Sequence, residues 1–335
     1  MDGDIIKKII NNQLQNMAET NENIKHVKSH ILNFSRANKG YINLNAELIR
    51  GSITYVGKNY NGYLFLDNTT NLLYFFKRNS KSGGLSHNSN KEFYESLISK
   101  MISSLYNTTP YYPALCMEEK GTISPYWSNG NLKISTFHDY LVERRNRFSF
   151  HEYRCISDIV KDEKFLNTLL SSELLQKIKY APQQFVLGNL DFKTNNIGVK
   201  ISNADKDNDI IEDLFYFDFG YSLYSNIQNE NSDDIKDCFN SKIWEFNSFI
   251  PIGMGGKKNF MNYDSINDLK DDFREYAQEN KEFRLNIKKA LNIKDSIVDD
   301  AFKEMKDEGF KIPPKTKSLT KEVIELSKET LNSAL

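Results

Sequence analysis

The sequence has few cysteines, almost no net charge and no long apolar run, and each shortage removes a class of protein. Cys116, Cys155 and Cys238 are odd in number and far apart, with no C-x-x-C pair. Only His151 lies at ligand spacing from one of them, Cys155, and two ligands make no structural zinc site. A disulfide framework and a zinc module are therefore not expected; each cysteine reads as a small apolar residue in a reducing compartment. With 44 basic against 45 acidic side chains, no overall field draws the chain to nucleic acid or to an anionic membrane. No apolar run approaches the length of a bilayer, and Met1 to Lys8 begins acidic, so neither a transmembrane segment nor a Sec signal is expected. That reading makes the protein cytoplasmic, or exported by a specialised secretion system. Internal repeats and long low-complexity segments are also missing.

What is there is a chain of 335 residues, long enough for two lobes and a sizeable core. From Ile5 to Phe34 apolar residues recur at three- and four-residue intervals, which predicts a helical N-terminal extension. From Ile53 to Phe76 the pattern changes to short Tyr-, Phe-, Leu- and Thr-rich strands, with turns expected at Gly57-Lys58-Asn59 and at Asp67 to Asn71. A polar loop, Arg78 to Asn90, precedes a helical stripe over Lys91 to Tyr106. Two short strands are expected near Ala114 to Met117 and Lys133 to Phe137, separated by a turn at Ser128-Asn129-Gly130. Helical periodicity dominates from His138, through Phe165 to Ile178 and Gln184 to Leu187. Ile197 to Ile201 and Leu214 to Phe217 then read as a hairpin with a polar tip. Further helices are expected at Ile266 to Glu279, Ile297 to Glu308 and Leu319 to Leu331, with Pro313-Pro314 breaking the chain before the last. The expected organisation is a helical extension (1–45), a small β-rich N-lobe (46–137) and a larger, mostly helical C-lobe (138–335), an α+β fold.

One constellation carries chemistry. Asp191-x-Lys193-x-x-Asn196 is followed, across the hairpin, by Asp218-Phe219-Gly220. Phosphoryl transfer needs a nucleophile held in line, metal ions on the phosphate oxygens and a cation beside them. Asp191, in a loop between helix and hairpin, can orient an incoming hydroxyl and accept its proton. Asn196 at the hairpin entrance and Asp218 at its exit would become neighbours when the strands pair, offering the hard oxygens that Mg²⁺ takes. Lys193 lies between them, within reach of a γ-phosphate. Upstream, Lys77 ends an apolar strand, where its ammonium would meet the α- and β-phosphates, and Glu95 on the next helix is its expected ion-pair partner, with Glu92 the competitor. The turn from Gly57 to Gly62 is where backbone N–H groups could cover the phosphates. Taken singly, Asp191 and Asn196 are ordinary turn formers and Lys77 an ordinary strand-end charge; the order of the parts is what discriminates. It predicts an ATP- and Mg²⁺-dependent phosphotransferase with a bilobal, protein-kinase-like fold.

Gly188-Asn189-Leu190-Asp191 with Asn196 resembles the G-N-x-D-x-x-x-x-N catalytic loop of HipA-type serine/threonine kinases, and Phe217 to Tyr224 resembles their metal-binding segment. Among them the chain is most similar to the secreted, pro-inflammatory type. The resemblance implies ATP with Mg²⁺ or Mn²⁺, transfer to Ser or Thr of a protein substrate, autophosphorylation, and a bacterial effector or toxin-like role with a host-cell target where the protein is secreted. Two departures stand out: Lys193 replaces the usual His, and Asp-Phe-Gly is complete. Both leave catalysis intact and move the question to the substrate. Phosphoinositide kinases share D-x-x-x-x-N and an apolar-Asp-Phe-Gly strand, and aminoglycoside phosphotransferases share the carboxylates. Tyr221 to Asp237 is acidic and polar instead of basic, which favours a protein acceptor over a lipid. A pseudokinase scaffold is the non-enzymatic alternative, but no catalytic part is missing. Ser80 to Ser89 is a candidate autophosphorylation segment, and equally a plain connector.

Overall fold

The computed structural model describes residues 28–59, 62–79, 90–105, 108–126, 133–147, 170–171, 174, 181–189, 196–201, 211–219, 234–242, 266–279 and 281–335. Of the expected N-terminal extension, 28–32 is helical and Ile31 and Phe34 enter the core; residues before 28 lie outside the described part. Strand β1 (Ile42–Asn43) runs directly into helix α1 (Leu44–Arg50). Asn43 caps that helix by accepting the Ala46 N–H, and Gly51, at φ +72°, closes it in the left-handed region that suits glycine.

Strands β2 (Ile53–Asn59), β3 (Gly62–Asp67) and β4 (Leu73–Arg78) form the expected antiparallel meander. The first turn falls beyond Asn59, because Gly57 stays in β2 at a register shift and does not reverse the chain. The second turn is built on Asp67, whose buried carboxylate accepts the N–H groups of Thr69 and Thr70 (2.8 and 3.1 Å). Strands β5 (Tyr112–Cys116) and β6 (Glu119–Pro125) complete a six-stranded sheet in the order β1-β5-β6-β4-β3-β2. Sequence reading missed β6, since Glu, Lys, Gly and Pro are poor strand formers. It is nevertheless an inner strand, buried from Gly121 to Pro125.

Helix α2 (Lys91–Ser103) lies on this sheet and is buried at every residue from Glu92 to Ile102. A second sheet holds β7 (Lys133–Thr136), β8 (Ile197–Ile201) and β9 (Ile211–Tyr216). The expectation that β7 follows β5 across a simple turn fails: β7 pairs with β8, away from the first sheet. Gly198 lets the Phe215 ring cross β8, where a Cβ would come within 2.1 Å of it. Among the described residues the chain continues with helices α3 (Phe137–Arg147), α4 (Ala181–Val186), α5 (Ile235–Lys242), α6 (Ile266–Glu279), α7 (Lys281–Leu291), α8 (Ser296–Asp307) and α9 (Thr316–Asn332). Of these α5 and α7 fall in the part after Gly220 expected to be mostly helical but were not singled out there, and α1 was not expected. Most of the expected helix at 165–178 lies outside the described residues.

The result is an α+β fold in which the six-stranded sheet comes from the first part of the chain and helices dominate the described residues after β9. Among the described residues no helix is long and apolar enough to cross a membrane.

Candidate active site

The site forms where β4, α2 and the end of β9 meet. Lys77 stands opposite Gly62 on one side and Thr122 on the other. Gly62 is required there by space, since a Cβ would lie 1.8 Å from the Phe76 carbonyl oxygen. The Lys77 ammonium donates to Glu95 Oε1 at 2.8 Å and also to Asp218 Oδ1. Glu95 Oε2 accepts the Thr122 hydroxyl at 2.8 Å, so both oxygens of that carboxylate are engaged. Such pairing is what allows charges to be buried here: Glu95 is 2% exposed and Lys77 18%, while Asp218 keeps 43% of its side chain open. Burial pulls the Lys77 pKa down, but Asp218 and Glu95 outweigh it and hold the value above that of an ordinary lysine. The two carboxylates thus favour the charged form of Lys77.

Of the two glutamates weighed on α2, Glu95 takes the lysine. Glu92 faces other donors, the Tyr41 hydroxyl and the Asn79 amide.

Asp218 lies two residues beyond the end of β9 and has φ +58°, a left-handed conformation that non-glycine residues seldom adopt. Strain of this kind collects at functional sites. Its N–H donates to the Tyr111 hydroxyl at 3.0 Å, and the next side chain, Phe219, is fully buried with its ring edge-on to Tyr111, 6.0 Å between centroids. On the facing strand, the Asn196 carbonyl accepts the Phe217 N–H at 3.1 Å. Pairing of Ile197 with Tyr216 thus brings buried Asn196 beside the stretch that delivers Asp218. An amide and a carboxylate at adjacent hairpin ends are oxygen donors of the type Mg²⁺ takes together with phosphate oxygens.

Asp191 and Lys193 lie outside the described residues, but both ends of their loop are described. At the near end α4 closes in a Schellman arrangement: Gly188, at φ +79°, donates to the Phe185 carbonyl and Asn189 to the Gln184 carbonyl. The Asn189 side chain then donates to Gln184 Oε1 at 2.9 Å. The Gly-Asn prefix therefore has a local purpose, ending the helix. Asn196 is the far end. Gly57 sits within β2 and Gly62 opens β3; residues 60–61 between these strands are not described.

Three contributors escaped the sequence reading: Thr122, Tyr111 and Gln184. Thr122 was hidden in an unrecognised strand. Tyr111 sits in Pro110-Tyr111-Tyr112-Pro113, where nothing local tells which ring faces the site.

No family model and no curated protein sequence matches the chain. The structure is similar to the crystal structure of a Helicobacter pylori proinflammatory kinase, CtkA, with 15% identity and a TM-score of 0.47 over 83% of this chain and 92% of that one. It is similar also to a chain of the Shewanella oneidensis MR-1 toxin–antitoxin complex of HipA, HipB and operator DNA, with 10% identity and a TM-score of 0.43 over 84% of this chain and 62% of that one.

Proposed function

We propose that the chain is an ATP-dependent protein kinase that transfers the γ-phosphate to Ser or Thr hydroxyls of a protein, itself included, in a bacterial effector or toxin-like role. The observation that carries this reading is the junction at Lys77, where one buried ammonium meets both the α2 carboxylate and the strained Asp218. In this reading Lys77, oriented by Glu95 and Thr122, receives the α- and β-phosphates, and Asn196 with Asp218 holds the metal. Bound Mg²⁺-ATP supplies the transferable phosphoryl group and neutralises its oxygens. Asp191 would orient the acceptor hydroxyl and take its proton, and Lys193 would offer a cation to the γ-phosphate. The half-open carboxylate of Asp218 supports the assignment, because a metal ligand must be able to exchange its lysine for an ion.

The test is direct. Purified protein with Mg²⁺ and labelled ATP is expected to label itself or a generic protein substrate, and Asp218→Ala to lower the rate by at least about 10²-fold. Labelling of phosphoinositide vesicles in place of protein would transfer the assignment to a lipid kinase. No labelling, with no ATP-induced rise in Tm, would overturn it.

A further inference from the structure

The segment 108–111, between α2 and β5, is bonded on both sides. Toward α2, the Ser96 hydroxyl donates to the Tyr111 carbonyl (2.6 Å), the Ser99 hydroxyl to the Thr109 carbonyl (2.7 Å), and the Thr108 hydroxyl to the Ser99 carbonyl (3.3 Å). Toward β9, Thr108 bridges Tyr216, the Thr109 N–H donates to the Tyr216 carbonyl (3.0 Å), and the Tyr111 hydroxyl accepts the Asp218 N–H. Ser96 and Ser99 are three apart, hence on one face of the helix, and Ser96 adjoins Glu95. The strip therefore joins the turn of α2 that bears Glu95 to the strand end that bears Asp218. A left-handed Asp is costly to hold and persists only where its surroundings over-determine it. Here the Tyr111 hydroxyl takes its N–H and the Tyr111 ring packs against the following side chain, Phe219.

We propose that Tyr111 is a positioning residue: it holds the backbone of Asp218 and ties it to α2, so that the two carboxylates meeting at Lys77 are set as one unit. A displacement of α2 would then be felt at Asp218 through Tyr111, and loosening of Tyr111 would degrade metal binding before it degraded the lysine–glutamate pair. The consequence for metal rests on the phosphotransferase reading; the mechanical tie does not.

Two measurements separate these. In the protein without nucleotide, amide hydrogen exchange resolved to Asp218 is expected to rise about fivefold or more in Tyr111→Phe, which keeps the ring and removes the hydroxyl that accepts this N–H. The same amide is expected to exchange faster in Ser96→Ala, which acts through the Tyr111 carbonyl. Amides of β3 serve as the reference for global stability, and Tyr112→Phe as the neighbouring control that leaves the Asp218 amide at its wild-type rate. In the kinase assay, Tyr111→Phe is expected to raise the Mg²⁺ concentration for half-maximal rate several-fold, with the rate recovered at high Mg²⁺, a recovery that general destabilisation would not produce. Wild-type exchange at Asp218 in either variant overturns the tie. Faster exchange with unchanged Mg²⁺ dependence overturns the link to metal. A wild-type protein that transfers no phosphate defeats the phosphotransferase reading and leaves the exchange result standing.

Discussion

At the scale of single residues, the balance of charge around Lys77 decides most. Among the described residues its ammonium is the counter-ion of Glu95, which is almost fully buried. Removing one partner of a buried pair leaves an uncompensated charge, which costs more than the pair itself contributes. Lys77→Met is therefore expected to abolish phosphotransfer and also to destabilise the protein by about 3 kcal/mol in urea denaturation. Adding Glu95→Gln should recover much of that stability, because the neutral amide can still accept from Thr122, while activity stays lost. Equal stability of the single and double variants would show that Glu95 is neutralised by some other route.

At the scale of elements, α2 is held from both sides. Its inner face carries Glu95 to the sheet. On its outer side Lys100 pairs with Glu308 at 2.7 Å and Glu304 at 3.3 Å, and Lys28 from the N-terminal helical turn reaches both of the same glutamates. Phe93 meets Phe302 of α8 at 6.4 Å between ring centroids. A helix buried from Glu92 to Ile102 has no solvent-facing side there to swing toward, which holds Glu95 in register with Lys77. Lys100→Met is expected to cost on the order of 3 kcal/mol, since Lys100 and Glu308 are both deeply buried. In a double-mutant cycle with Glu308→Gln the losses should fall short of additive by about 1 kcal/mol or more. Additivity would mean that the pair is not coupled.

At the scale of the molecule, the C-terminal helices are part of the body that supports the site. Gly40 packs so closely on Gly309 that a Cβ would lie 2.0 Å from its carbonyl oxygen, and the Lys311 N–H donates to the Lys39 carbonyl at 3.0 Å. Cutting the chain after Ile293 removes α8 and α9 and uncovers the aromatic face of α2. The truncated protein is expected to aggregate or to bind a hydrophobic dye, with loss of cooperative melting. A soluble, cooperatively folding fragment would show that α2 needs no outer cover.

By itself the sequence determined what short-range physics controls. Strand-forming composition between turn residues marked the β2–β3–β4 meander and placed Lys77 close to a strand end. Helical spacing marked α2, and the hairpin made Asn196 and the Asp218 segment neighbours, because its register follows from one local reversal. The tertiary structure alone decided what depends on distant segments meeting. It chose Glu95 over Glu92, brought Lys77 to an aspartate 141 residues away, and made the unpromising β6 an inner strand so that Thr122 could hold Glu95. It also turned Tyr111 and not Tyr112 toward Asp218. Such choices come from burial and from satisfying buried polar groups across the whole core, and neither quantity is written in the spacing of neighbouring residues.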